Sequence, residues 1–343
     1  MRGHTFVPDG SRGGRRVRLE SREIQNEDTG DGGREIRFAM PALEPGAVFE
    51  YQVDYMSPAF VLLPRWYFQD VVPVVHSEVR YNVPQFLGYN FLRRDQVGIQ
   101  RSDSNSSGDL GVTHFSRFVA SNVPAMREEA FVAAIHDHMT WLQPQLSTYM
   151  HPRWGTQESF LRSWNEMADD VHSRRTFWHQ LGRSSTVTQQ AQEIAGEIVE
   201  PRDKARAIYN FVRTSMVWNE RYSPFTSRSI DEILSSRNGT SGELNLLLAA
   251  LLHDAGISVE PVLLSTRTRG RPVVEYPLLT QFNHLLVSTT LDGEEMLLDA
   301  TEPAMPMGMV PVASLAGIGW KASRTVQEWI EITHHPSPTS PPW

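Results

Sequence analysis

The 343-residue chain contains no cysteine. That single absence excludes disulfides, thiolate metal sites and a thiol nucleophile together, and it says nothing about compartment. Lysine is almost missing too. Of 32 basic residues only Lys204 and Lys321 are lysine, so the chain offers few primary amines of its own. No apolar run approaches the roughly 18 residues that a membrane-spanning helix needs. The longest candidate, Leu244 to Leu252, is interrupted by Asn245 and stops at His253-Asp254, which marks a buried helix. A net charge of −8 argues against a nucleic-acid partner, because phosphate binding needs clustered positive charge. The densest basic patch, Arg12, Arg15, Arg16 and Arg18, reads as a solvated strand or loop. Met1-Arg2-Gly3-His4 lacks an apolar h-region, so no secretory signal is expected in this chain.

What is present is ordinary globular composition, with 40% hydrophobic, 21% charged and 10% aromatic residues. The length suits two or three domains of roughly 100 to 200 residues. In the first third, Ile36 to Met40, Val48 to Tyr55 and Val79 to Val83 alternate as half-buried strands do, with turns at Pro8-Asp9-Gly10 and Glu44-Pro45-Gly46. The polar stretch Arg101 to Gly108 is expected to be a loop, and its sequon Asn105-Ser106-Ser107 matters only in a eukaryotic secretory setting. From about Pro124 to Met216 the pattern turns helical. Ala191, Ile194, Ala195 and Ile198 make one apolar face, and Ala205, Ile208, Tyr209, Val212 and Met216 another. Trp141, Trp154, Trp164 and Trp178 are expected to be core residues rather than a ligand box. His136-Asp137-His138 lacks the i, i+4 spacing of a metal-binding helix, and His334-His335 falls in a Pro/Ser-rich tail. No metal or cofactor is called for.

The chemistry concentrates further on. Leu244, Leu247, Leu248, Leu251, Leu252 and Ala255 share one helical stripe while Leu246, Ala249 and Ala250 make the opposite side apolar, the pattern of a helix buried all round. Thr240-Ser241-Gly242-Glu243 is a capping box at its start and Gly256 is placed to end it. A strand over Val259 to Leu264 follows. Then come a strand opened by His284, a turn at Asp292-Gly293 and a third strand ending at Asp299. Ser241, His284 and Asp299 thus present a hydroxyl, an imidazole and a carboxylate in that order along the chain, the three groups from which a nucleophile, a base and an orienting acid can be made. A residue on the first turn of a helix sits in the positive field of unpaired N–H groups, which favours a thiolate or a developing oxyanion. A serine hydroxyl is too weak an acid for a standing ion pair, so Ser241 can react only if His284 removes its proton in the transition state. Each residue also has a plain structural reading: Ser241 as a small first-turn residue, His284 as a strand histidine, Asp299 as a turn former.

The segments Gly239-Thr240-Ser241-Gly242-Glu243-Leu244-Asn245, Pro261 to Arg267, Gln281-Phe282-Asn283-His284 and Leu297-Leu298-Asp299-Ala300-Thr301 resemble the transglutaminase-like superfamily, with Ser241 where that family carries its cysteine. Upstream, Thr5 to Gly10, Phe38 to Pro41, Pro45 to Tyr51 and Phe68-Gln69 resemble the uncharacterised β-rich domain that often precedes bacterial members, and place the start of this chain inside that domain. The resemblance implies an α+β protein: a sandwich-like β-rich domain over 1–118, a helical connector over 119–189, a papain-like core over 190–332 with a buried helix on an antiparallel sheet, and a disordered tail over 333–343. It carries catalytic roles onto His284 and Asp299, puts Ser241 at the nucleophile position and offers Trp218 as an oxyanion donor. It implies a cell-envelope protein that binds a peptide or another extended chain without thiol chemistry. Two alternatives stay open, a Ser-His-Asp hydrolase or acyltransferase and a truncated or Cys-to-Ser form of a thiol enzyme. Arg267, Arg269 and Arg271 are expected to form a solvated loop, with recognition of an acidic group as the other reading.

Overall fold

The computed structural model describes residues 1–332 except 9, 11–13, 29–33, 55, 57–62, 109–110, 128–136, 152, 161–162, 316 and 326. The Asp9 turn position, Arg12, His136 and the tail with His334-His335 therefore lie outside the described residues. The chain divides into two compact units, Met1–Phe60 and Val61–Trp343.

In the first unit β1 (Arg2–Pro8) lies between β2 (Gly14–Arg18) and β5 (Val48–Gln52), both antiparallel to it, and β3 (Ile24–Asp28) pairs with β4 (Arg34–Phe38). Thr5 and Val7 alternate inward on β1, as period-2 patterning requires. Arg15, Arg16 and Arg18 all fall on β2, where Arg16 reaches Glu50 at 3.5 Å.

The second unit begins with a β-sandwich that runs past residue 118. β7 (Val74–Pro84), β10 (Gly111–Val123) and β9 (Gln100–Gly108) form one sheet in the order β7-β10-β9. In the other, β11 (Trp141–Met150) pairs along one side with β8 (Leu87–Arg94) and along the other with β6 (Trp66–Tyr67) and β12 (Gln157–Ser159). Phe68, Phe118, Ala120 and Leu142 fill the space between the sheets, with Tyr81 and Phe91 against them. Two expectations change here. Arg101 to Gly108 is strand, not loop: β9 is an edge strand with every residue exposed, so it carries none of the apolar alternation that announces a strand. Residues 141–150 are strand, not helical connector. Pro144 is tolerated because β6 pairs with β11 only at Trp141 and Leu142 and β12 only from Thr148 to Met150, which leaves its missing N–H in the gap between them. Trp141 and Trp178 are buried as expected, whereas Trp154 is 69% exposed.

The remainder is a helix-on-sheet core. α2 (Ser185–Ala195), α3 (Pro201–Ser215) and α4 (Ile230–Ser236) pack on α5 (Ser241–Asp254), α1 (Trp164–Ser173) lies against the last two strands of the sheet, and β13 (Val217–Trp218) and β14 (Asn238–Gly239) form a short parallel bridge. β15 (Val259–Leu264), β16 (His284–Leu291), β17 (Glu294–Leu298), β18 (Gly317–Ala322) and β19 (Gln327–Ile332) make one antiparallel sheet in the order β17-β16-β15-β18-β19. Residues 241–252 of α5 are all buried. Burying six leucines is worth about 1.5–3 kcal/mol each, which makes this helix the centre of the core. Its C-terminus closes on Gly256 at φ +83°: Ile257 N donates to Leu252 O at 2.9 Å and Gly256 N to His253 O at 2.9 Å, the paired bonds of a Schellman motif. Asp292 and Gly293, both at positive φ, make the tight turn between β16 and β17.

Candidate functional site

The start of α5 is fixed by reciprocal bonds. Glu243 N donates to Thr240 Oγ1 at 3.3 Å and Thr240 N to Glu243 Oε2 at 2.9 Å. The Glu243 carboxylate also accepts from Arg228 Nη2 at 2.6 Å, Arg228 Nε at 3.0 Å and Thr226 Oγ1 at 2.8 Å. Burial pushes this carboxyl up, but Arg228, the Thr240 N–H and Thr226 outweigh burial and hold it below its usual range. The capping glutamate thereby ties residues 226–228 to the helix start.

Ser241, fully buried, follows the cap. Its N–H donates to Arg221 O at 3.0 Å, and its hydroxyl accepts from Ser223 N at 3.2 Å and faces Ser223 O at 3.4 Å. The next residue must be glycine, since a Cβ at 242 would stand 2.2 Å from Ser223 O. Segment 221–224 therefore lies directly on the first turn of the helix and takes both hydrogen-bonding directions of the Ser241 hydroxyl.

His284 and Asp299 meet where β16 begins and just past the end of β17. His284 Nε2 lies 2.8 Å from Asp299 Oδ2, with both side chains fully buried. Asp299 Oδ2 also accepts from Ser314 Oγ at 3.1 Å, while Oδ1 accepts from Asn245 Nδ2 at 3.0 Å, Thr301 N at 3.1 Å and Thr301 Oγ1 at 2.8 Å. Burial works to raise the Asp299 carboxyl, but the His284 charge and the bonds from His284, Asn245 and Thr301 depress it well below its ordinary value. Asn245 is the hub. Besides Asp299 it donates to Leu285 O at 2.8 Å and accepts from Ala300 N at 2.8 Å, so α5, β16 and the strand end at Asp299 are joined through one amide. The Tyr209 hydroxyl, 3.0 Å from the carbonyls of both Asp299 and Met305, supports the same strand end from α3.

The other ring nitrogen, His284 Nδ1, is buried and has no hydrogen-bond partner among the described residues. With Nε2 on a carboxylate, the neutral ring carries its proton there and leaves Nδ1 a lone pair able to accept one. Tyr222 packs edge-on against this ring, centroids 5.2 Å apart, and Trp218 packs on Tyr222 at 5.0 Å. Burial first, then the Asp299 and Glu302 charges, keep the Tyr222 phenol protonated to higher pH than usual.

His284 and Asp299 are thus in contact, and Ser241 sits at the head of the buried helix, bonded to Ser223 and not to the histidine. The Trp218 indole N–H donates to Arg221 O at 3.2 Å, so in this arrangement it is engaged by the backbone rather than free for an oxyanion. Asn245, Ser314, Thr301 and Ser223 were not anticipated as members of the cluster. Asn245 alone carried a signal: a polar residue inside a helix apolar on every side must find buried partners. Among the described residues no group of three or more His, Asp or Glu could hold a metal ion.

Residues 188–292 match the family described as the Transglutaminase-like superfamily. The chain carries a transglutaminase-like domain. The match includes Ser241 and His284 and stops short of Asp299. A solved structure of a candidate protease from Parabacteroides distasonis ATCC 8503 shares the fold, with a TM-score of 0.65 at 19% identity over 98% of this chain. This chain spans 61% of the length of that protein. A candidate cysteine protease from Cytophaga hutchinsonii (14% identity, TM-score 0.29, 69% of this chain and 74% of that one) and the periplasmic domain of TgpA from Pseudomonas aeruginosa (15%, 0.27, 70% and 75%) are more distant. No curated protein matches significantly. The α+β architecture with a transglutaminase-like core is therefore the fold that the sequence resemblance implied.

Proposed function

We propose that the transglutaminase-like domain of this chain is a non-thiol member of its superfamily that binds a peptide or another extended chain without transforming it, at a bacterial cell envelope. The observation that carries this reading is the state of Ser241. Its hydroxyl is fully buried and bonded to the backbone of Ser223, while the nitrogen that would have to activate it, His284 Nδ1, makes no bond. A hydroxyl needs a base in hydrogen-bond reach to become a nucleophile, because the helix field that ionises a thiol does little for an alcohol. The peptide class follows the description of the Parabacteroides protein, a candidate protease.

One observation favours a second reading, a Ser-His-Asp hydrolase. Leaving a buried nitrogen unpaired costs about 1–3 kcal/mol, and the intact His284–Asp299 pair is what a general base requires. The test is a paired assay of the parent and Ser241→Cys on peptide amide, ester and glutamine–amine substrates, with His284→Ala as control. Binding of peptide with no turnover by the parent supports the first reading. Turnover that disappears in His284→Ala establishes the second. Activity in the cysteine variant alone shows a thiol scaffold disarmed at one atom.

A further inference from the structure

A strand that lines the inside of a β-sandwich should turn apolar side chains inward, and the sheet β7-β10-β9 obeys that rule over only half its length. On β10, Phe118 faces the facing sheet and is buried, opposite Val79 of β7 and Arg101 of β9. Side chains two and four positions back share that face, and they are Ser116 and His114. Their direct partners on β9 are Asp103 and Asn105. Contact across the sandwich fixes which face this is: Arg101 lies 5.3 Å from the Phe118 ring and 5.5 Å from the ring of Phe91, which belongs to the opposite sheet. Four polar residues therefore occupy this face at one end of the sandwich, and three of them, Asp103, Asn105 and His114, are exposed because the facing sheet does not close over them. Such departures from local consistency are expected where a protein binds something.

They line a cavity of about 500 Å³, within the range of about 300–1,000 Å³ typical of small-molecule sites. Its opposite wall is formed by β8, with Leu87, Tyr89 and Phe91 on one strand face. A bulge in β11 between Leu146 and Thr148 re-aims the strand beside the cavity, where Thr148 and Met150 line it. From this wall a file of rings leads outward: Phe86 to Tyr149 at 6.4 Å, Tyr149 to His151 at 6.1 Å, and His151 stacked on the exposed Trp154 at 4.0 Å. Trp154 stands in the turn of the β11–β12 hairpin, whose pair Met150–Gln157 lines the cavity.

The charges choose the ligand. Arg101 and Asp103 neutralise one another at 2.8 Å, and Asp103 is further bonded by Ser116 Oγ at 2.7 Å. His114 Nδ1 lies 2.8 Å from Asn105 Oδ1; an amide oxygen only accepts, so in the neutral tautomer that makes this bond Nδ1 donates and Nε2 is an acceptor. Gln85, Ser104 and Gln157 line the cavity and make no side-chain hydrogen bond among the described residues. The site thus has no net charge, one wall of donors and acceptors, and one aromatic wall that continues to an exposed tryptophan. A neutral sugar chain has the same division, with hydroxyls at its edge and C–H groups on its ring faces. We infer that the open end of this sandwich is a binding site for a neutral oligosaccharide. The assignment is independent of any role for Ser241.

The experiment is calorimetric or NMR titration of the full chain with neutral tetrasaccharides of glucose, xylose and N-acetylglucosamine. Tetragalacturonate serves as the anionic comparator and tetra-alanine as the peptide comparator. Saturable binding of at least one neutral sugar is expected, at least tenfold weaker in Asn105→Ala and in Gln157→Ala, with the thermal midpoint of both unchanged. The inference is overturned if no neutral sugar saturates by about 10 mM, or if both variants leave binding intact. Equal or tighter binding of tetragalacturonate or tetra-alanine also overturns it, because the charge argument would then be wrong.

Discussion

The unit Val61–Trp343 holds two polar clusters built on opposite plans. The side chains bonded to the Asp299 carboxylate are all buried, and that carboxylate accepts five hydrogen bonds. Along β9 and β10 the polar residues are mostly solvated and border a cavity. In the first cluster chemistry and stability are inseparable, because each polar atom depends on its neighbours for the solvation it has lost. In the second, water substitutes for any missing partner, so residues there can be chosen for a ligand at little cost to the fold.

The sharpest way to break that contrast is at Asn245. Replacing it with Ala removes a donor from Asp299 and orphans Leu285 O and Ala300 N in the core. Urea unfolding should show a loss of about 3–5 kcal/mol; a loss below 1 kcal/mol would mean that the buried network does not hold the core together. Gly242→Ala comes next. The added methyl meets Ser223 O and the Pro224 backbone, so segment 221–224 must lift off the helix. Overpacking of this kind costs about 1–3 kcal/mol. In a crystal structure of the variant, or by hydrogen exchange at Ser223, the lifted segment should free the Ser241 hydroxyl.

How much of this was legible beforehand differs between the clusters for a physical reason. The buried one announces itself. A helix apolar on all sides, its Thr240–Glu243 cap, Gly256 beyond its end and the Asp292-Gly293 turn each have a local signature, and together they bring β16 and β17 onto α5. The pairing of His284 with Asp299 was implied by the family resemblance, not by these local signatures. What the sequence did not disclose is set by contacts distant in the chain. Ser223 reaches Ser241 across 18 residues and Ser314 reaches Asp299 across 15. β9 has no apolar alternation because it is an edge strand, and β11 conceals itself by being buried on both faces with a proline in the middle. The border between the two compact units at Phe60 has no compositional mark.

Acid offers a third handle. The folded Asp299 carboxyl is depressed below its unfolded value, so its contribution to stability is full above about pH 4 and is lost as pH falls through the folded value. The urea midpoint of the parent should therefore drop between about pH 5 and pH 2, and part of that drop should be missing in Asp299→Asn, which has no proton to take up. Asp103 is also depressed, chiefly by its bond from Ser116, but it is exposed and screened, so Asp103→Asn should leave the acid limb nearly unchanged.

The smallest effects discriminate best. Ser241→Ala withdraws the hydroxyl from Ser223 N and O and leaves the rest of the cluster in place. A loss of about 0.5–1.5 kcal/mol is expected, the usual net worth of such a bond. Asn105→Ala on β9 should change stability by no more than about 0.5 kcal/mol, as exposed substitutions do. If both variants fell in the lower range, the Ser241 hydroxyl would contribute no more to the fold than a solvated amide. A serine kept at the head of a buried helix without structural return would then need a chemical reason, and the hydrolase reading would gain at the expense of the binding one.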